Sequence, residues 1–198
     1  MNDMNEMYND DDSSSRVRME LYDWLQCLVT AIVCGVLIFV FVGRTIGVDG
    51  RSMAQTLQNN DRVIMSNLFY TPGNGDIVVF QSPSEQFEYP LVKRVIAIED
   101  QTIFINFENG DVFVDDLLLN EPYINTMTTS SYDFKDPVTI PRGFVFVMGD
   151  NRNSSTDSRD NVVGLVDTRY ILGKVLFVLV PGVDDHGVRD WNRFGVTG

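Results

Sequence analysis

The stretch TIFINFENGDVFV (residues 102–114) predicts a β-hairpin and with it the class of the fold. Apolar residues occupy every second position from 103 to 107, with polar residues at 102 and 106, as in a strand that buries one face. Asn109-Gly110 is a dipeptide typical of tight hairpin turns, and a second short apolar run follows it. Further runs typical of strands lie on both sides: GDIVVF (75–80), LVKRVIAI (91–98), GFVFVMGD (143–150) and YILGKVLFVLVPG (170–182). We therefore predict a mainly β domain with a mixed, mostly antiparallel β-sheet, and a short helix over residues 52–56.

The longest apolar run, LQCLVTAIVCGVLIFVFV (residues 25–42), contains no charged residue. About 20 apolar residues in a helix cross the core of a bilayer, so we predict a transmembrane helix over residues 21–43. A buried core helix is the alternative, whereas a cleaved signal peptide fits poorly because the preceding tail is acidic and the run is long. Arginines on both sides leave the orientation open. The acidic tail over residues 1–20 is predicted to be disordered, and residues 48–198 to form the β-rich domain.

The composition excludes several classes of function. The chain has 28 acidic and 15 basic residues and a net charge of −13, which argues against nucleic acid as a partner because phosphates must be neutralised by Lys and Arg. It has one histidine and two cysteines, and both cysteines lie inside the apolar run. We therefore predict no metal site and no cofactor. A Ser-His-Asp relay would depend on His186 in the loop-like sequence VDDHGV, so a catalytic serine here needs another base.

A candidate nucleophile lies in VDGRSMAQTL (residues 48–57), where Ser52 follows the apolar run by about ten residues. Gly50 permits a positive φ or a close approach of the backbone, so Ser52 is expected at the edge of an element rather than inside a strand. One interpretation is a turn that joins an anchor to a domain. The other is a nucleophile held near the surface of a bilayer.

A candidate base lies in the run LVKRVIAI, where Lys93 and Arg94 are adjacent. Strand side chains alternate between faces, so Lys93 and Arg94 cannot both point outward, and Lys93 has the parity of the apolar Leu91 and Val95. One interpretation is a lysine that reaches past the edge of the core to water. The other is a buried lysine whose pKa falls by about 3 from ~10.4, which would let it serve as a general base for a serine.

A polar loop, GDNRNSSTDSRDN (residues 149–161), follows a predicted strand. A surface turn is the simplest interpretation, and a calcium loop is disfavoured because Arg152 breaks the spacing of acidic ligands. The glycosylation pattern Asn-Ser-Ser at 153–155 is interpreted as chance. Asp157 and Arg159 can pair and brace the loop, which would leave a serine hydroxyl free to orient a neighbouring amine.

These stretches, in this order after one apolar run, resemble the type I signal peptidases of bacteria, which are membrane-anchored Ser-Lys endopeptidases that remove signal peptides from exported proteins. GRSMAQTL resembles the serine motif of the family, LVKRVIAI its lysine motif and GDNRNSSTDSR its most specific loop. The similarity spans about residues 48–182. It implies that Ser52 is the nucleophile, that Lys93 is the general base and that Ser155 hydrogen-bonds the lysine amine.

The resemblance also implies roles for residues near Ser52, Lys93 and Ser155. Asp157 and Arg159 match the bracing ion pair, Met53 and Gly50 the substrate cleft, and the backbone N–H of Ser52 an oxyanion donor. Four positions match the residues that shape the loop: Gly149, Asp150, Asn151 and Arg152.

Three departures from the family pattern stand out. Gln55 occupies the place of a usual proline, and Gly50 occupies a place where some members carry a second, side-chain oxyanion donor. AIEDQT follows the lysine motif, where the family usually has Gly-x-Pro-Gly-Asp. The short insert between the lysine and the loop resembles compact, single-anchor members from Gram-positive bacteria.

The resemblance implies signal-peptide-bearing preproteins and the lipid bilayer as partners, with a cytoplasmic N-terminus and an extracytoplasmic β-domain. Three alternatives remain open: a non-catalytic membrane-anchored binding module, a self-cleaving Ser-Lys repressor, and a peptidase dedicated to special substrates such as pilin-like proteins. The repressor would need a DNA-binding domain, and the acidic tail offers none. The oligomeric state is left open by the sequence.

Overall fold

The computed structural model describes residues 3–135, 137–183 and 187–197, so His186 lies outside the described residues. The chain divides into two compact units, residues 1–43 and 44–198. The β-rich unit therefore starts at residue 44 rather than at 48 as predicted, because residues 44–47 already form a strand.

The first unit is one helix, α1 (Asp3–Val42). Its stretch Arg18–Leu37 is long and apolar enough to cross a membrane, by length and composition. Large apolar side chains such as Trp24 and Ile32 are exposed along it. An apolar surface of this kind needs a partner or a non-aqueous solvent, which is the condition that a bilayer meets.

α1 begins at Asp3, so the structure describes residues 3–20 as helical, whereas the disordered tail over residues 1–20 stays a prediction. Starting a helix is unfavourable, but extending an existing helix adds one backbone hydrogen bond for each residue that is fixed. The tail is contiguous with a strongly apolar helix and so needs no nucleus of its own.

The second unit consists of two antiparallel β-sheets. Its strands are β1 (Arg44–Gly47), β2 (Arg62–Ser66), β3 (Ile77–Phe80), β4 (Leu91–Ala97), β5 (Thr102–Asn106), β6 (Asp111–Val114), β7 (Leu117–Leu118), β8 (Val138–Thr139), β9 (Phe144–Met148), β10 (Val166–Asp167), β11 (Ile171–Val180) and β12 (Gly195–Val196). The larger sheet has the order β1-β2-β11-β3-β4-β9-β10, with β12 also paired to β11, and the smaller has the order β7-β6-β5-β8. Short 3₁₀ helices cover Thr168–Tyr170 and Trp191–Arg193. The predicted fold class is confirmed.

The hairpin predicted from residues 102–114 is formed by β5 and β6, with Asn106 paired to Asp111. Its turn depends on Gly110, which has φ +82°. A Cβ at this position would lie 2.5 Å from Met127 Cβ and 2.9 Å from the backbone nitrogen of Thr128. Glycine is therefore needed for the turn conformation and for the close packing of residues 127–128.

The predicted short helix over residues 52–56 is wrong. This stretch forms consecutive hydrogen-bonded turns, with Ala54 N bonded to Arg51 O at 3.0 Å and Leu57 N to Met53 O at 2.8 Å. Gln55 has φ +86°, and a residue in this region interrupts the right-handed helical path.

The hydrophobic core supports the turn that carries Ser52. One buried cluster contains Met53 and Leu57 together with residues of β2, β3 and β11. A second cluster contains residues of β3, β4, β9, β10 and β11, and a third joins the smaller sheet to β4 and β9. β3 and most of β4 are buried on both faces, which explains why their sequences are nearly continuous apolar runs rather than alternating ones.

Candidate active site

Ser52 lies in a turn that is fixed at both ends; residues 50–57 are called the serine turn. Gly50 opens it with φ +93°, and the Gly50 N–H donates to Asn59 Oδ1 at 2.9 Å. Met53 and Leu57 are buried beneath the turn. Ser52 itself is half-buried. The turn therefore leaves the serine partly accessible while two apolar side chains anchor the turn in the core.

Lys93 lies in β4, opposite Val78 of β3, and is 3% exposed. Its Nζ lies 2.6 Å from Ser52 Oγ. Burial lowers the pKa of Lys93 to about 8, although the carboxylates of Asp157 and Asp150 act in the opposite direction. An amine with this pKa is uncharged in a much larger fraction of molecules near neutral pH than an exposed lysine is.

Arg94, the next residue of β4, is 2% exposed on the opposite face. It donates to both carboxylate oxygens of Asp150, at 2.8 and 2.7 Å, and to the carbonyl oxygen of Gly75 at 2.8 Å. The sequence placed one of these two cations on the apolar face of the strand and left its burial open. Both are buried, because β4 is covered on both faces.

The polar loop at residues 149–159 is braced by an ion pair that is fully buried. Arg159 donates to the two oxygens of Asp157 at 2.9 and 2.8 Å. Asp157 also accepts the Gly149 N–H at 3.0 Å, and Arg159 donates to the carbonyl oxygen of Arg152 at 2.6 Å. Hydrogen bonds between residues of the same loop therefore fix its conformation.

The same loop is bonded to the serine turn. The Asn151 N–H donates to the carbonyl oxygen of Ser52 at 3.0 Å, and Thr56 Oγ1 donates to Asp150 at 2.5 Å. A Cβ on Gly149 would clash with the carbonyl oxygen of Ser52 and with Ser155 Oγ. The absence of a side chain at Gly149 is thus what allows the loop to approach the turn.

A cavity of about 280 Å³ opens beside Ser52 and Lys93. Apolar side chains from β1, β3, β4 and β11 form much of its wall, and Asp49 and Tyr89 add polar groups. Met53 lines the cavity, whereas Gly50 is not among its lining residues in the described part of the chain. No group of three or more metal-binding side chains occurs among the described residues.

A sequence profile of the signal peptidase family, peptidase S26, matches residues 21–180. The chain belongs to this family. A signal peptidase I of Bacillus licheniformis is 30% identical over 181 residues, which cover 86% of this chain and 95% of that protein. A probable signal peptidase I-1 of Synechocystis sp. is 37% identical, over 78% of this chain and 80% of that protein. A solved signal peptidase I from Enterococcus faecalis is 26% identical and covers 53% of this chain and 97% of its own, with a TM-score of 0.43.

One expectation drawn from the signal peptidases is wrong in this structure. Ser155 is 3% exposed, and its Oγ has no hydrogen-bond partner among the described residues, so the expected bond to the amine of Lys93 is not formed. The amine contacts Ser52 Oγ instead. The sequence motif determines which loop carries Ser155. The distance from its hydroxyl to the amine of Lys93 depends on how the loop packs against β4.

The departure at Gln55 has a structural reason. Signal peptidases usually carry proline at this position, and the φ of proline is locked near −65°. Gln55 has φ +86°, a conformation that proline cannot adopt. The serine turn of this chain therefore follows a different local path from one built on proline.

Sequence reasoning missed Glu121, Tyr123 and Thr128. Arg152, which is fully buried, forms an ion pair with Glu121 and donates to Thr128 Oγ1 at 2.9 Å. The Tyr123 ring lies 3.9 Å from the guanidinium carbon of Arg94, measured to the ring centroid. These residues lie in an irregular stretch without strand or helix periodicity, so no pattern in the sequence relates them to arginines about 30 residues away.

Proposed function

We propose that this member of the signal peptidase family is a membrane-anchored serine endopeptidase that removes N-terminal signal peptides from exported preproteins. Ser52 is the nucleophile and Lys93 is the general base. The observation that carries the proposal is the 2.6 Å separation of Lys93 Nζ and Ser52 Oγ, at a lysine that is almost fully buried.

The first half of the reaction forms an acyl-enzyme. Neutral Lys93 takes the proton of the Ser52 hydroxyl while Oγ forms a bond to the scissile carbonyl carbon. The Ser52 N–H donates to the developing oxyanion. The C–N bond then breaks, and Lys93 returns the proton to the leaving amine of the mature protein.

The second half releases the signal peptide. Lys93, neutral again, takes a proton from water while the water oxygen attacks the ester carbon. The ester bond breaks and Ser52 Oγ recovers its proton from the lysine.

The substrate lies extended along the free edge of β4. In the described part of the chain β9 pairs with β4 only from Arg94 onward, whereas β3 pairs with it from Leu91. Residues 91–93 thus have one edge open to an added strand beside Lys93. The 280 Å³ cavity at this edge has the size and apolar wall to take a small side chain that precedes the cut.

The bilayer acts as a tether. Ser52 follows the end of α1 by ten residues, which keeps the nucleophile in the same thin layer from which signal peptides emerge. Confinement of both reactants raises their effective concentration. We place the N-terminus in the cytoplasm and the β-rich unit on the outer side of the membrane, where exported preproteins arrive.

The test uses the full chain in detergent or lipid and a preprotein whose cleavage is followed by gel electrophoresis and mass spectrometry. We expect Ser52→Ala and Lys93→Ala to abolish cleavage while circular dichroism is unchanged. Ser84→Ala and Lys135→Ala, which lie outside the cavity lining, should cleave like the unmodified protein. Robust cleavage by either dyad variant would overturn the proposal, and a folded protein that never cleaves would favour the non-catalytic binding module.

A further inference from the structure

The segment at residues 121–134 lies between β7 and β8, has an irregular path and contacts the polar loop at residues 149–159; we call it the clamp segment. Its backbone N–H groups at Thr129 and Ser130 both donate to Asn153 Oδ1 at 3.0 Å. Arg159 donates to the carbonyl oxygen of Ser130 at 2.9 Å. The clamp segment is therefore bonded to the loop at 149–159 at several points.

Two side chains of the clamp segment meet buried arginines. The ring of Tyr123 covers the guanidinium of Arg94 at 3.9 Å, and Arg94 makes its paired bonds to Asp150. Glu121 pairs with Arg152, and Tyr123 OH donates to Glu121 at 3.1 Å. Tyr123 thus links the two buried ion pairs.

Arg94 matters to Lys93 through Asp150. Asp150 is one of two carboxylates that raise the affinity of Lys93 for its proton, the other being Asp157. Each carboxylate is neutralised by an arginine. The charged and titratable groups that face Lys93 or these carboxylates are the hydroxyl of Ser52 in the serine turn, Asp150, Asp157 and Arg159 in the loop, and Arg94 in β4.

We propose that Tyr123 is a positioning residue for the general base: its ring holds Arg94 on Asp150 and so screens the carboxylate from Lys93. The inference rests on the proposed function of the Ser52–Lys93 pair. A guanidinium over an aromatic face is attracted by the ring quadrupole, and the attraction is stronger where water is excluded. Without the ring, Arg94 moves and Asp150 is less neutralised, which leaves the amine protonated up to a higher pH.

The first experiment compares Tyr123→Leu with Tyr123→Phe in the full chain, using kcat/KM for preprotein cleavage measured against pH. The acid limb of this profile reports the ionisation of the free enzyme's base. We expect Tyr123→Leu to move the limb upward by about one pH unit, which lowers kcat/KM about tenfold below the limb. Tyr123→Phe keeps the ring, so its acid limb should lie at the same pH as in the unmodified protein. Phe104→Leu, an aromatic substitution on the exposed face of β5, should not move it.

A merely structural role for Tyr123 would lower the stability of the protein without moving the acid limb. Thermal unfolding of the same variants separates the two effects. An acid limb that stays in place in Tyr123→Leu, or that moves equally in Tyr123→Phe, overturns the inference.

A second series keeps the inference testable if Tyr123→Leu does not fold. Mono-, di- and trifluorophenylalanine introduced at position 123 retain the shape of the ring while progressively weakening its attraction for a cation. We expect the acid limb to rise stepwise with the number of fluorines. A limb that is independent of fluorination contradicts the proposal.

The two proposals fail in different ways. If the unmodified protein does not cleave a preprotein, or Ser52→Ala still does, the proposed function is wrong. If the unmodified protein cleaves through Ser52 but the acid limb ignores the ring at position 123, only the role of Tyr123 is wrong.

Discussion

The two faces of β4 carry two adjacent basic residues, Lys93 and Arg94, which are almost equally buried but differ in their charged partners. Lys93 has no carboxylate within salt-bridge distance in the described structure, and burial lowers its pKa to about 8. Arg94 is held by both oxygens of Asp150 and by the Tyr123 ring. Lysine can give up its proton when it is buried, whereas arginine stays charged and must be paired. The strand therefore carries, at adjacent positions, an amine whose pKa is lowered by burial and a guanidinium that is paired with a carboxylate.

The largest effect is expected from replacing Lys93 with a residue that, like Arg94, stays charged. Lys93→Arg leaves a cation that cannot accept a proton, so we expect kcat/KM to fall by on the order of 10²–10⁴ or more. Preprotein cleavage by purified protein measures it, and Lys135→Arg, at an exposed position, is the control. Cleavage by Lys93→Arg within tenfold of the unmodified protein would show that Lys93 is not the base.

The structural face is tested by Arg94→Met. This substitution leaves Asp150 buried without its cation, and breaking a buried pair in this way costs about 3–5 kcal/mol of unfolding free energy. Denaturant unfolding in detergent, followed by circular dichroism, measures the loss. A loss below about 1 kcal/mol would mean that water or another group replaces the guanidinium and that the two faces differ less than we infer.

A third experiment uses the dependence of stability on pH. Between about pH 8 and the ordinary lysine pKa of 10.5, the unfolded chain holds a proton that folded Lys93 has released. Stability therefore rises with pH in this window, by about 3 kcal/mol in all. Lys93→Met should be more stable than the unmodified protein below pH 8 and should lose this rise. An unchanged slope in Lys93→Met would show that the amine is not the group that titrates.

The smallest effect is expected from an exposed pair. Arg142 Nε lies 3.5 Å from Asp100, and both side chains are largely exposed. We expect Arg142→Met to change the unfolding free energy by less than about 1 kcal/mol and to leave cleavage unchanged. It is the matched control for Arg94→Met. If the two arginine substitutions prove equally costly, burial does not set the strength of the Arg94 pair.

The sequence predicted those parts of the site that depend on local pattern. The alternation in residues 102–107 and the Asn-Gly turn identified the β5–β6 hairpin, and the parity of Lys93 identified a buried cation in β4. The order of the motifs identified the family, which the comparisons confirm. Composition predicted a disordered tail over residues 1–20, but it does not show that a neighbouring helix removes the cost of nucleation, and α1 begins at Asp3.

Other parts of the site could not be predicted from local pattern. Gln55 has a positive φ in a turn whose residues Met53 and Leu57 are buried on either side of it, and neither feature follows from residue propensity. Tyr123 and Glu121 lie in an irregular segment, and the arginines that they meet are distant in sequence. Contacts between irregular segments produce no periodic pattern in the sequence from which they could be predicted.

By itself the sequence determined the apolar run, the alternating strands, and which residue types are present to serve as nucleophile, base and brace. Only the tertiary structure decided that Ser52 and Lys93, 41 residues apart, meet at 2.6 Å, and that the lysine does so with its charge disfavoured. The physical reason is that the ionisation of an amine depends on the water and charges around it. These are set by whichever elements pack over β4.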